Sequence, residues 1–346
     1  MTWKLVTRLA LAALLLGVPA GSKIVTAADM QFLRVACLAP RDSELAKSFL
    51  RVDKGLRAAS HDTWGIRLYA GGTAGDEVDV LRKMKVGQMD ASIITTTGLS
   101  HIVREVALLD SPGVINNYKQ FEAVTSAMRG EWEQSFDKAG FKLVAWSEGG
   151  QYRWFSKTPI TRVTDLKNVR PWVWPASYIL KEIYHNVGAN GVPLGVPEVY
   201  GALQTGMVDT VITTAAALVA LQWHSNLKFA TKAGFGILVN AMVVSADKWK
   251  AIPPDVAGQV LSETRKVTEG EREAWRKADL VAYQNLLKRG YTATEWAPGG
   301  EQEYRKMEQA VRDVLVGRLY PAALLKRVMA IAVAADSGTA SAAPAK

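Results

Sequence analysis

The chain has 346 residues, 49 % of them hydrophobic and 22 % charged, with a formal net charge of +9. That length suits two domains, and the composition excludes a disordered, collagen-like or coiled-coil protein. Lys and Arg are interspersed with acids and never form a run of five like charges, so the basic balance reads as a solvated surface and no nucleic-acid partner is expected.

Lys4 and Arg8, the apolar run from Leu9 to Val18, Pro19 and then Thr26-Ala27-Ala28 form the three-part pattern of a secretory signal over 1–28. The run is shorter than the ~20 residues a spanning helix needs, so no stable membrane insertion is expected after cleavage near Ala28. Cleavage there removes Lys4, Arg8 and Lys23 but no acid, and lowers the net charge to +6. The mature protein is expected in the periplasm.

Phe32 to Leu38 reads as a buried strand. Cys37 lies inside it beside Val35, Ala36 and Leu38, which predicts a buried, inert thiol. As the single cysteine it excludes an intramolecular disulfide and multi-cysteine metal chemistry. Ser43 can cap the helix that carries Leu45, Phe49 and Leu56. A second strand, Ile66 to Tyr69, ends at Gly71-Gly72. The glycine-rich run Gly71 to Gly75 lacks the Lys-Ser/Thr of a phosphate-binding loop and reads as a tight turn. A helix follows from Asp76 to Val86. Strand, loop, helix, strand is the order of an α/β sheet. Further strands are predicted at Lys142 to Trp146, up to Trp174 and at Ile237 to Ser245. Pro197 suits the start of a helix. A long polar helix is expected from Pro254 to Lys288, then two helical stretches within Glu301 to Leu324, and a disordered tail over 334–346. The four histidines, His61, His101, His185 and His224, have no metal-ligand spacing, so no metal or cofactor is predicted.

One pattern occurs twice. Gly87-Gln88-Met89-Asp90 leads into a β-branched run that ends in Thr95-Thr96, and Gly206-Met207-Val208-Asp209 leads into one that ends in Thr213-Thr214. In both, a glycine closes a helix and an Asp follows three residues later. The repetition predicts two α/β lobes, each placing a Thr-rich strand end where open α/β sheets bind ligands. No Pro- or Gly-rich linker divides the chain, so the lobes are expected to be joined by several crossings, as in a hinged clamshell.

The run Glu198-Val199-Tyr200-Gly201-Ala202-Leu203-Gln204-Thr205-Gly206-Met207-Val208-Asp209 is similar to the EVY-x-ALQTG-x-VDG segment of the TRAP-transporter solute receptors of the C4-dicarboxylate-binding type. Tyr69 to Gly72 with Gly75, the Gly87 to Asp90 turn, Asp165-Leu166-Lys167, Gly188-Ala189 and Pro193 match in order. The resemblance covers nearly all of the mature chain. It implies two α/β lobes around a cleft, joined by crossing strands and one long spanning helix. It places 29–150 and about 239–275 in lobe one, and 151–238 and about 276–333 in lobe two. It also implies a non-enzymatic, monomeric receptor that hands its ligand to a TRAP-type membrane permease. A receptor that presents ligand to a sensor kinase is the alternative, and sequence does not separate the two.

The resemblance departs at the site. The family's carboxylate-binding Arg falls on Trp172, or on Val173 if a one-residue insertion is placed earlier, and neither is basic; Arg170, two residues from Trp172, is a candidate substitute. Its ligand-binding Asn falls on Thr213, and an aromatic position falls on Val196. Arg153 matches a second cleft Arg. Trp154, Trp172, Trp174 and Trp223 gather around it in the sequence reading. The expected ligand contacts are therefore Thr95, Thr96, Arg153, Arg170, Trp172, Trp174, Val196, Thr213 and Trp223. They suggest an apolar, aromatic or monocarboxylate ligand, with an ordinary C4-dicarboxylate as the alternative.

Overall fold

The computed structural model describes residues 30–337. The expected signal over 1–28 lies outside them. Eleven strands form two main sheets and one small pair among the described residues.

The first sheet takes its strands from both ends of the chain. They are β1 (Gln31–Cys37), β2 (Trp64–Tyr69), β3 (Ala91–Thr95), β4 (Phe141–Gln151) and, much later, Ile237–Ser245. The second-lobe strands are β5 (Arg153–Ser156), β6 (Trp172–Val173), β7 (Val192–Pro193), β8 (Thr210–Thr213) and β9 (Phe229–Thr231). With Ile237–Ser245 as β10, Thr292–Thr294 is β11. The first sheet has the order β2-β1-β3-β10-β4, with β1 parallel to β2 and β3 and β10 antiparallel to β3 and β4. The second has the order β11-β9-β5-β8, and β6 pairs with β7. Apolar runs such as Leu33, Val35 and Ala36 are buried because helices cover the sheet.

The chain crosses between the sheets twice as strand. β4 gives way to β5 at Tyr152, and β9 leads to β10 through 232–236. The two crossings pair with each other: Tyr152 N–H donates to Gly236 O (3.1 Å) and Phe235 N–H to Tyr152 O (2.9 Å). The two crossings thus run side by side between the lobes.

The third crossing departs from expectation. Two helices, Pro254–Gly270 and Arg272–Lys288, replace the single long one, with the break at Glu271. Gly270 weakens the helix there, and the Glu271 carboxylate is held by Ser48 and Arg51 of helix Glu44–Ala59. Val256 and Val260 join the core beneath the first sheet, whereas Tyr283 and Leu286 join that of the second lobe, so the pair still spans both lobes.

The chain end also differs from the sequence reading. Helix Ala322–Asp336 takes in 334–336, part of the tail that the sequence predicts as disordered, because an Ala-rich run favours helix. It packs on helix Tyr118–Ala127 in the first lobe, whereas the resemblance implies the second lobe for 276–333.

Local expectations hold elsewhere. Ser43 caps its helix by accepting from Ala46 N–H (3.2 Å). Cys37 is buried and unpaired, and burial pushes its thiol up to about 12. Among the described residues, no helix is long and apolar enough to cross a membrane.

Candidate ligand-binding cleft

The strand ends of the two lobes face one cavity of about 440 Å³. One wall comes from the first sheet. Thr95 ends β3 and caps the short helix Thr96–Leu99, its hydroxyl accepting from Thr97 N–H (3.2 Å). Glu77, at the start of helix Glu77–Lys85, accepts from Thr95 N–H (2.8 Å), the Thr95 hydroxyl (2.9 Å) and Gly98 N–H (2.9 Å). A Cβ at Gly98 would lie 2.6 Å from this carboxylate, so only glycine permits the approach. Burial raises the Glu77 carboxyl from the usual 4.5 to about 8, in spite of those donors.

Asn240 of β10 is in register with Thr95, so the two side chains share a face of the sheet, and both line the cavity. The Asn240 Nδ2 is buried and has no hydrogen-bond partner. Asp110 lines the same wall with Thr96 and the Tyr152 hydroxyl as neighbours, and burial raises its carboxyl to about 6. Glu148 is fully buried. Burial pushes its carboxyl up, and Arg276 of the spanning helix offsets this from behind the wall.

The opposite wall is aromatic. Trp172 lies in β6, Trp174 just past its end, and both line the cavity. Their rings stack at 6.0 Å, and Trp223 meets Trp172 edge-on at 5.3 Å. Trp172 Nε1–H donates to Leu194 O (2.8 Å), which fixes the ring. Val196, Ile212, Thr213 and Leu221 complete this wall, and Trp154 and Phe235 stand near the hinge.

The lobes touch at the lip. Asp76 of the first lobe accepts from Trp174 Nε1–H (2.9 Å) and Val196 N–H (3.3 Å) of the second. His101 donates to Ala176 O (2.9 Å) and stacks on Tyr178 at 5.1 Å. Ile94 and Trp154 belong to one buried apolar cluster with Ile183, so the core runs across the cleft in this closed form.

Six of the nine residues chosen from sequence, Thr95, Trp172, Trp174, Val196, Thr213 and Trp223, line the cavity. Thr96 is buried beside Asp110 and stands outside the lining. The two arginines also stand outside it. Arg153 is buried but faces the lobe interior: it donates to Thr231 O (3.4 Å), Lys232 O and Gln151 Oε1 (3.0 Å), and lies 4.4 Å above the Tyr283 ring. Arg170 is exposed and paired with Asp209 at 3.1 Å. The Asp209 carboxylate also accepts from Arg170 N–H (2.8 Å), which holds the residue outside the cavity. Sequence reasoning missed Glu77, Asp110, Tyr152, Asn240 and Trp275. Their only local signal is a polar or bulky residue at the edge of an apolar run, which surface residues share.

Two α/β lobes, joined by two crossing strands and a spanning pair of helices and closed over one cavity, define a solute-binding receptor. Residues 36–316 match the family described as bacterial extracellular solute-binding protein, family 7, and the chain belongs to it. It is 25 % identical over 272 residues to a solute-binding protein of Sulfitobacter, covering 78 % of this chain and 81 % of that one. It is 21 % identical over 240 residues to the C4-dicarboxylate-binding periplasmic protein DctP of Vibrio cholerae, covering 69 % and 72 %. A TRAP periplasmic solute-binding protein of Xanthobacter autotrophicus, solved with β-D-galacturonate, superposes with a TM-score of 0.80 at 18 % identity, covering 88 % of this chain and 99 % of the other. The protein is thus a TRAP-type periplasmic solute-binding receptor, a class of non-enzymatic proteins.

Proposed function

We propose that this receptor captures a ligand with a large apolar or aromatic body between its lobes and delivers it to a TRAP-type membrane permease, after export directed by 1–28. In this reading 30–151 and 237–270 form the first lobe and 152–236 and 272–294 the second. The stacked tryptophan wall at the position of the family's carboxylate-binding Arg carries the proposal. Burying about 150 Å² of apolar ligand there is worth about 4 kcal/mol. The Vibrio relative is named for dicarboxylates and the Xanthobacter protein holds a sugar acid. Here no Lys, Arg or His stands among the described lining residues. An unpaired buried carboxylate costs several kcal/mol, so the geometry gives a monocarboxylate or dicarboxylate little support.

Mass spectrometry of small molecules released from protein purified without dialysis is expected to find a ring-bearing or long aliphatic compound. Calorimetry is expected to show no succinate binding at micromolar concentration. Tight succinate binding would refute the proposal. Small-angle scattering is expected to show a smaller radius of gyration once the released compound is added back.

A further inference from the structure

We infer that the ligand's polar end is positively charged: the cavity fits an organic cation, a protonated or quaternary amine on an apolar body. The inference rests on the reading of the cavity as the ligand site.

Five acids line the cavity, Asp42, Glu44, Glu77, Asp110 and Glu148. They are not equivalent. Glu148 is compensated by Arg276, and Glu44 by Lys47 at 2.9 Å. Asp42 is exposed at the mouth. Glu77 is buried and Asp110 half-buried in the wall, and no basic side chain in the described structure contacts either. The Arg153 that could have supplied a cation is held by backbone carbonyls and the Tyr283 ring. A cation in the cavity would provide the charge that this wall lacks.

The opposite wall supports the same chemistry. Trp172, Trp174 and Trp223 present indole rings, the strongest aromatic partners for a cation within about 6 Å. Carboxyls on one side and indoles on the other both favour positive charge, and the donors left unpartnered in the lining, Asn240 Nδ2 and Trp154 Nε1, are uncharged. Burial holds both acids toward their neutral form, Asp110 at about 6 and Glu77 at about 8. Asp110 faces the hydroxyls of Thr96 and Tyr152. Glu77 faces Thr95, the Gly98 N–H and the carboxylate of Asp76. A bound cation favours ionisation of both, so binding should release protons at neutral pH.

The test is a charge series on one skeleton: 3-phenylpropylamine, 3-phenylpropanamide and 3-phenylpropanoate, each titrated calorimetrically into the mature protein. At pH 7 the amine is expected to bind at least tenfold more tightly than the amide, and the carboxylate more weakly still. Amine affinity should fall as pH drops from 7 to 5 and Asp110 takes up its proton. Asp110→Asn is expected to weaken amine binding about tenfold and to leave amide binding within twofold. Amide or carboxylate binding as tight as the amine's would overturn the charge assignment and leave the apolar reading intact. Absence of binding by all three at millimolar concentration would overturn both.

Discussion

In the first lobe Gly87 takes φ +72°, Asp90 clamps Arg34 through a 2.7 Å ion pair, and β3 ends at Thr95, which caps a helix. In the second lobe Gly206 takes φ +73°, Asp209 clamps Arg170 at 3.1 Å, and Thr214, one residue past β8, caps the next helix by accepting from Ala217 N–H. The two segments repeat each other in backbone, in clamp and in cap. The surfaces they present to the cavity do not. The first carries buried carboxyls and an unpartnered amide, the second a cluster of tryptophans. The backbone repeat places two strand ends at one cleft, and the side chains delivered by neighbouring segments then decide what each wall binds.

The largest expected effect lies on the aromatic wall. Trp172→Ala removes the stack on Trp174, the edge contact with Trp223 and the bond to Leu194 O, and should destabilise the protein by about 4 kcal/mol in urea unfolding. A loss below about 1 kcal/mol would mean that this wall is not a packed unit.

The polar wall depends on charge compensation. Arg276→Met leaves Glu148 buried without a partner and should cost about 3 kcal/mol. Adding Glu148→Gln to that variant should recover at least half of the loss. If the double variant is no better than the single, the pair is not what supports the wall.

The walls also differ in their response to pH. The folded-state values of Glu77 and Asp110 are raised, so the folded protein binds protons more tightly than the unfolded chain between about 4 and 8. Their stabilising contribution is full below the unfolded values near 4. It is lost as pH rises, through about 6 for Asp110 and about 8 for Glu77. The empty protein should melt about 5 °C lower at pH 8 than at pH 5.5, and less so in a Glu77→Gln, Asp110→Asn double variant. An equal slope in both proteins would show that these acids are not the source.

The smallest effect joins the walls at the lip. Trp174→Phe keeps the aromatic surface but removes the Asp76 bond, and should weaken closure by about 1 kcal/mol. Scattering of the ligand-saturated protein at fixed concentration should then show a larger open fraction than wild type. An unchanged profile would assign closure to apolar packing alone.

Much of this architecture is local and could be read in the chain. The left-handed glycines at 87 and 206, the Ser43 cap and the strand Ile237–Ser245 depend on neighbours within a few residues, as did the EVY-type segment that marked the family. The tryptophan wall was legible because Trp172 and Trp174 stand two apart, the first in β6 and the second just past its end. The breaks in the reading came where partners are distant. Arg153 could be identified as a cleft residue by position, but carbonyls at 231 and 232 turn its guanidinium aside.

What sequence by itself determined is the set of elements and the two repeated strand ends, because backbone preferences and periodic burial act over a few residues. Tertiary structure alone decided the polarity of the first-lobe wall. Glu77 meets Thr95 18 residues away, Asp76 meets Trp174 98 away, and Glu148 meets Arg276 128 away. Whether an acid is solvated or buried, and whether it has a countercharge, depends on which distant segments pack around it. No periodicity along the chain carries that information.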